Sequence, residues 1–393
     1  MSDVVRPIGT GWIVTGRVPG PDVDEFAESD QVIAALAGQN GHDSLLAVQH
    51  PNHTPQAMAE GLSVAEALPA AQRMLERLLD RDYRRVEHVV APYLATGPDG
   101  TALGMLCLVD PAAVDADGQA RIRQAEQVYP DVVAERAAVL AGLGCATSAA
   151  MLVPVMGGSA LTTALRGVIE RHDAPDVHLV DSDGREHRLW LLGPGPEQDE
   201  LVTLAQRHPL LVADGNHRVA AATGARSALL ALVTGGPGLR VGPIHRMLVG
   251  TGHTADELAE AWRRIGLRVT DVDAVIAPDR PGSVLVLAGG RTLSVELPAA
   301  PSNEPLPRID HGVVEHVLIG EALGIDPAGP LVRALPAGTR PVADADAVLL
   351  IAPVPYRDVL AVHDQGRRMP RKSTYFTPKP RSGLVLAKIA PLS

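Results

Sequence analysis

Aromatic residues are scarce in this chain: its 393 residues include three Trp, five Tyr and two Phe. The core must therefore be built from Leu, Val, Ile and Ala. Cysteine is nearly absent. Cys107 and Cys145 alone make neither a disulfide framework nor a four-thiolate zinc site, and a reduced cytoplasm is the expected compartment. No apolar run nears the about 18 residues a membrane span needs. The longest, Ala228–Val233 and Ala347–Val354, have the length of core strands. The N-terminal Met1-Ser-Asp-Val-Val-Arg6 lacks the basic-then-apolar order of a signal peptide, so none is expected.

A positive surplus is also missing. Lys plus Arg number 35 against 46 Asp plus Glu, a net of −11, which weighs against duplex DNA held by phosphate contacts. There is no Gly-x-x-x-x-Gly-Lys-Ser/Thr loop, no strand-borne Gly-x-Gly-x-x-Gly and no Gly-x-Ser-x-Gly elbow. His50 and His53 supply two metal ligands without a third, and Pro51 breaks their helical spacing; they read as loop histidines.

What is present is mixed helix and strand. Ser63-Val-Ala-Glu66 and Thr254-Ala-Asp-Glu257 are capping boxes, the first leading Val64, Leu68, Ala71, Leu75 and Leu78 at helical spacing. Pro69 interrupts that run, so the helix either kinks or begins there. Pro130 opens a further helix that Gly144 stops, and the Thr254 helix should end near Gly266. Strands are expected at Ala102–Leu108, Leu210–Ala213, Ala228–Val233, Val284–Leu287 and Val348–Ile351, with a short one at Gly383–Leu386. The interleaving implies an α+β fold. Four prolines in Leu297–Pro307 mark a linker between residues 1–296 and 308–393.

Two stretches carry chemistry. In Leu210-Leu-Val-Ala-Asp-Gly-Asn-His-Arg218 a buried strand turns at Asp214-Gly215 directly into a helix, whose free amides attract anions. Arg218 can grip phosphate oxygens, and Asp214 can cap the helix or hold magnesium. The plainer alternative makes Asp214 an N-cap and leaves His217 and Arg218 as solvated first-turn residues. The second stretch is Met369-Pro-Arg-Lys-Ser-Thr-Tyr-Phe-Thr-Pro-Lys379. The three lysines of the chain, Lys372, Lys379 and Lys388, all lie in its last 22 residues, and every other cation is arginine. Donors suited to phosphate thus gather in the tail, although coding bias alone also depletes lysine.

Together the two stretches resemble the domain-of-unknown-function 1015 family, with its Ala-Asp-Gly-His-His-Arg motif and later Met-Pro-x-Lys-Ser-Thr-Tyr-Phe-x-Pro-Lys signature. Gly184–Leu192 with His187 and Trp190, Arg308–Leu318 with Asp310, and Ile122–Arg136 resemble further family segments. The resemblance implies a ParB/sulfiredoxin-like phosphate-binding core with additional N-terminal and C-terminal α/β elements. It also implies an ATP-dependent kinase of a small molecule, free L-serine first, working with Mg²⁺. By position it implies nucleotide contacts from Asp214, Gly215, Asn216, His217, Arg218, Lys372, Ser373 and Thr374. It makes Asp214 the metal ligand, Glu126 the general base and His217 a second catalytic group. A non-catalytic nucleotide-binding protein and a ParB-like protein acting on nucleic acid are the alternatives. The chain departs from the family pattern at Asn216, which replaces a His, and at Ala125, which replaces the His before the Glu. A third departure is Gly20-Pro-Asp-Val23, which stands for a longer N-terminal motif.

Overall fold

The computed structural model describes residues 3–21, 29–124, 126, 128–172, 174–236, 239–298, 307–336 and 338–389. Ala125, part of Gly20–Val23 and most of the proline-rich stretch lie outside the described residues. The chain forms two units by its contacts: Met1–Gln124 with Val128–Leu239 and Thr377–Ser393, and Ala125–Gln127 with Arg240–Phe376.

The first unit is built on a nine-stranded, largely antiparallel sheet. Leu210–Asp214 lies near one edge, between Ile122–Arg123, which runs parallel to it, and Ala150–Pro154, which runs antiparallel. Next come Leu229–Thr234, Gly100–Val109, Ala91–Gly97, Glu186–Leu189 and Val177–Val180, with Val5–Arg6 off Gly100–Val109. Its core is aliphatic, as the shortage of aromatics requires: Leu152, Val212, Ala231 and Val233 pack with Leu161 and Leu165. In a second, four-stranded sheet the tail strand Val385–Lys388 lies between Ile8–Val14 and Cys145–Ala146, which brings the C-terminal residues back to this unit.

In the second unit, six antiparallel strands run in the order Val269–Asp271, Arg291–Glu296, Ser283–Ala288, Ala345–Ile351, Ile244–Val249 and Val332–Pro336. The helix Ala255–Arg264 covers the sheet, with Trp262 fully buried and its indole N–H donating to Leu318 O at 3.0 Å. Composition pointed to a division at 297–307, whereas the contacts divide the chain at Leu239–Arg240. The sheet explains the difference. Ala345–Ile351 pairs with both Ser283–Ala288 and Ile244–Val249, so strands from either side of the prolines share one ladder.

Local signals act as physics requires. Both capping boxes close: the Ser63 and Thr254 amides donate to Glu66 and Glu257 at 2.8 Å, and each hydroxyl accepts from the N3 amide. Pro69 neither starts nor ends its helix, which runs unbroken over Val64–Asp82. The capped start and the buried face of Ala67, Ala71, Leu75 and Leu78 outweigh one missing interior hydrogen bond. Gly144 stops the helix Pro130–Leu143 in the left-handed conformation. His50 caps and His53 ends a one-turn helix, Pro51–His53, rather than a loop, and their rings stack 5.5 Å apart and nearly parallel. Among the described residues no group of three or more His, Cys, Asp or Glu side chains is placed to hold a metal, and no helix is long and apolar enough to cross a membrane.

Candidate functional site

Leu210–Ala213 is buried, and the ladder against Ala150–Pro154 shifts register between Val212 and Asp214, so that Asp214 comes opposite Met151 at the strand's end. Gly215 follows at φ +94° and caps the helix Asn216–Gly224, so Asp214 is not the N-cap. A Cβ on Gly215 would stand 2.7 Å from Arg218 Nε and 3.0 Å from the Ala150 Cβ. Only glycine lets the Arg218 side chain fold back over the turn. We expect Gly215→Ala to cost about 1–3 kcal/mol through left-handed strain and crowding, read by urea unfolding. A variant as stable as the parent would show that the turn relaxes freely.

The folded-back guanidinium donates through Nη1 to Ala149 O at 2.6 Å and pairs through Nη2 with Asp214 Oδ2. The other carboxylate oxygen faces Lys379 Nζ at 2.9 Å. One carboxylate thus sits between two cations, with side-chain exposures of 18 % for Asp214, 12 % for Arg218 and 25 % for Lys379. These three groups and the helix start sum to a positive centre. Magnesium at Asp214 does not fit this donor set, because both oxygens are committed to cations. Beside Arg218 opens a pocket walled by Val139, Leu140, Leu143, Ala221 and Leu229, with Arg136 at its lining.

Asn216 is buried, and its carbonyl accepts from Gln124 Nε2 at 3.3 Å. His217 Nε2 accepts from the Tyr129 amide at 3.0 Å, and the two rings stack 5.8 Å apart. That bond puts the neutral ring's proton on Nδ1 and withdraws Nε2 from proton transfer. His187, in the segment before the motif, is buried between Tyr93 Oη at 2.7 Å and Asp181 Oδ2 at 3.1 Å. Burial lowers its pKa, and Tyr93 Oη in turn accepts from the Arg381 amide. This buried chain fixes the returning tail.

Lys372, Ser373 and Thr374 belong to the second unit, whereas Lys379 belongs to the first. The amides of Ser373 and Thr374 donate to Glu126 Oε1 at 3.2 and 3.1 Å, joined by the Thr374 hydroxyl at 2.7 Å, and the Lys372 amide donates to Oε2 at 3.1 Å. Burial raises the Glu126 pKa, against the opposing pull of the Thr374 and Lys372 donors and the Lys372 charge. A raised carboxyl suits a base, but the lone pairs are taken up by the chain's own donors. Glu126 therefore accepts from all three amides of the turn and from the Thr374 hydroxyl. Behind the turn, Arg246 donates to Lys372 O at 3.1 Å and Arg371 O at 3.0 Å, and pairs with Glu315 at 2.8 Å.

The sequence motifs did not single out Lys379 or Arg246 as site residues. Lys379 had a signal, its place in a tail that concentrates the lysines. Arg246 had none, because an arginine inside a strand is ordinary until its partners are known.

Solved structures resembling the chain include a free serine kinase in complex with AMP, at 12 % identity and a TM-score of 0.37, covering 67 % of this chain and 89 % of that one. A conserved hypothetical protein from Pyrococcus furiosus aligns at 13 % identity and a TM-score of 0.37, covering 67 % and 90 %. SbnI from Staphylococcus aureus, truncated at its C-terminus, aligns at 13 % and 0.41, covering 73 % and 87 %. Likenesses of this size carry no argument about ligand or chemistry. Among curated proteins none matches the chain. The model of a family described as a protein of unknown function, DUF1015, matches residues 29–312, a span that holds Glu126 and Asp214–Arg218 and stops before Met369. That match takes in well over half of the sequence, and the chain belongs to the DUF1015 family.

Proposed function

We propose that the chain is an ATP-dependent kinase of a small hydroxyl compound, with free L-serine as the first acceptor to test, built on a ParB/sulfiredoxin-like phosphate-binding core. The observation that supports it is the Asp214 carboxylate between Arg218 and Lys379 at the start of the helix Asn216–Gly224. Asp214 neutralises one of the two cations and holds both in place. The surplus charge and the amides of Asn216, His217 and Arg218 then attract the phosphates. The apolar wall beside Arg218 suits a nucleoside. Magnesium would arrive on the nucleotide phosphates, where it spreads the charge that builds up during transfer. A cytoplasmic location belongs to the same proposal.

A non-catalytic nucleotide-binding protein is the second reading. One observation favours it: His217 Nε2 and the Glu126 oxygens, the groups expected to move protons, already accept hydrogen bonds from the chain.

Purified protein incubated with ATP and Mg²⁺ against free amino acids and small alcohols, followed by mass spectrometry, separates the readings. We expect serine to gain the mass of one phosphoryl group, and Arg218→Ala to lose both transfer and AMP binding. AMP binding without transfer to any acceptor would select the second reading. Absence of both would overturn the proposal.

A further inference from the structure

Three consecutive amides, Lys372, Ser373 and Thr374, converge with the Thr374 hydroxyl on a single carboxylate. Lys372 stands at φ +49°, a left-handed conformation that a non-glycine residue adopts at a cost. Successive amides turned to one side in this way form a nest, a concavity that binds anions. The rest of the turn is fixed from behind. Arg246, only 2 % exposed, holds the carbonyls of Arg371 and Lys372. The buried Ser373 donates its hydroxyl to Pro370 O at 2.7 Å. The receptor is thus preformed by its own supports and does not need Glu126 to shape it. Lys372 itself is exposed and adds an ammonium at the same turn.

An anion is already seated there, and it is a chemical stand-in for another. A glutamate carboxylate presents two oxygens where a phosphate monoester presents three, with more charge. Glu126 also forms an isolated parallel bridge with Met369, just ahead of the turn. Its carboxylate is, moreover, costly to keep ionised where it lies, since burial raises its pKa.

We propose that the Lys372–Thr374 turn is a receptor for a phosphate group and that Glu126 is its built-in competitor, filling the receptor until phosphate displaces it. This rests on the nucleotide-binding reading only for the source of the phosphate. The role differs from that of a general base, because removing a base leaves binding unchanged, whereas removing a competitor strengthens it. Occupancy by Glu126 lowers the fraction of binding-competent molecules, and apparent affinity falls with that fraction.

Full-length parent, Glu126→Ala, Glu126→Gln and Arg218→Ala should be titrated with inorganic phosphate and, separately, AMP by calorimetry, with thermal unfolding alongside. We expect Glu126→Ala and Glu126→Gln to bind inorganic phosphate about tenfold or more tightly than the parent. We also expect phosphate to restore the unfolding temperature that either substitution lowers. The near-isosteric Glu126→Gln keeps the test open if the alanine variant does not fold. If AMP gains affinity too, a nucleotide supplies the phosphate; if only inorganic phosphate gains, the receptor stands with another phosphate compound as its ligand. Phosphate affinity no higher than the parent's, with stability that phosphate does not restore, would make Glu126 a structural clamp and overturn the inference. The two readings fail separately. Loss of AMP binding in Arg218→Ala with no gain in the Glu126 variants keeps the nucleotide site and removes the receptor. A phosphate gain without AMP binding in any variant does the reverse.

Discussion

Replacing Arg246 with alanine is expected to cost the second unit about 3–5 kcal/mol, the scale for removing one partner of a buried ion pair. The guanidinium pairs with Glu315 and also donates to the carbonyls of Ile244, His245, Lys372 and Arg371. Truncation would strand a carboxylate that is only 17 % exposed, together with those carbonyls. Arg246→Lys should recover little, because one ammonium cannot reach carbonyls and a carboxylate arrayed around a planar fork. Urea unfolding followed by Trp262 fluorescence, with Trp12 and Trp190 changed to Phe, reads this unit by itself. A loss under about 1 kcal/mol would mean that the pair is solvated and that the turn behind Glu126 is supported by other groups.

Acid should destabilise the same unit steeply. His311 is fully buried; its Nε2–H donates to Ile244 O at 2.9 Å, and Nδ1 has no hydrogen-bond partner among the described residues. Burial, with the Arg246 charge nearby, pushes its pKa down from 6.5 to about 3. Between those values the unfolded chain carries a proton on this residue that the folded chain refuses. The unfolded state then binds more protons, so stability is full above about pH 6.5 and falls as the pH drops toward 3. The slope from this one residue approaches about 1.4 kcal/mol per pH unit. His245, lowered by burial and by Arg246, adds to the slope in the same direction. Urea unfolding at several pH values should show this slope in the parent, and His311→Gln should flatten it. An unchanged slope in the variant would show that His311 takes up its proton without cost.

Both effects concern residues whose role was invisible in the chain. Arg246 lies in a stretch that carried no strand or site expectation, and His311 in one known only by its resemblance to a family segment. Their weight comes from partners far away in sequence. By contrast, Ser63-Val-Ala-Glu66 and Thr254-Ala-Asp-Glu257 needed no distant partner, because a capping box is completed within four residues. Leu210–Ala213 and Val348–Ile351 were legible because buried strand segments read as continuous apolar runs. The division of the chain was less legible than these elements. A proline-rich stretch reports local stiffness, whereas a unit is defined by which strands share a ladder.

The candidate site divides in the same way. That Asp214, Gly215 and Arg218 form a strand–turn–helix suited to anions follows from the sequence, because glycine conformation, strand burial and helix-start amides are local properties. So does the concentration of lysine in the tail. Only the tertiary structure decided that Lys379 meets Asp214 while Lys372, a few residues earlier, turns its amide to Glu126. Only it showed that the expected base is already hydrogen-bonded and the expected metal ligand already paired with cations. The physical reason is that a charged group's role depends on what neutralises it, and over such separations in sequence the partner is chosen by the sheets that bring the segments together.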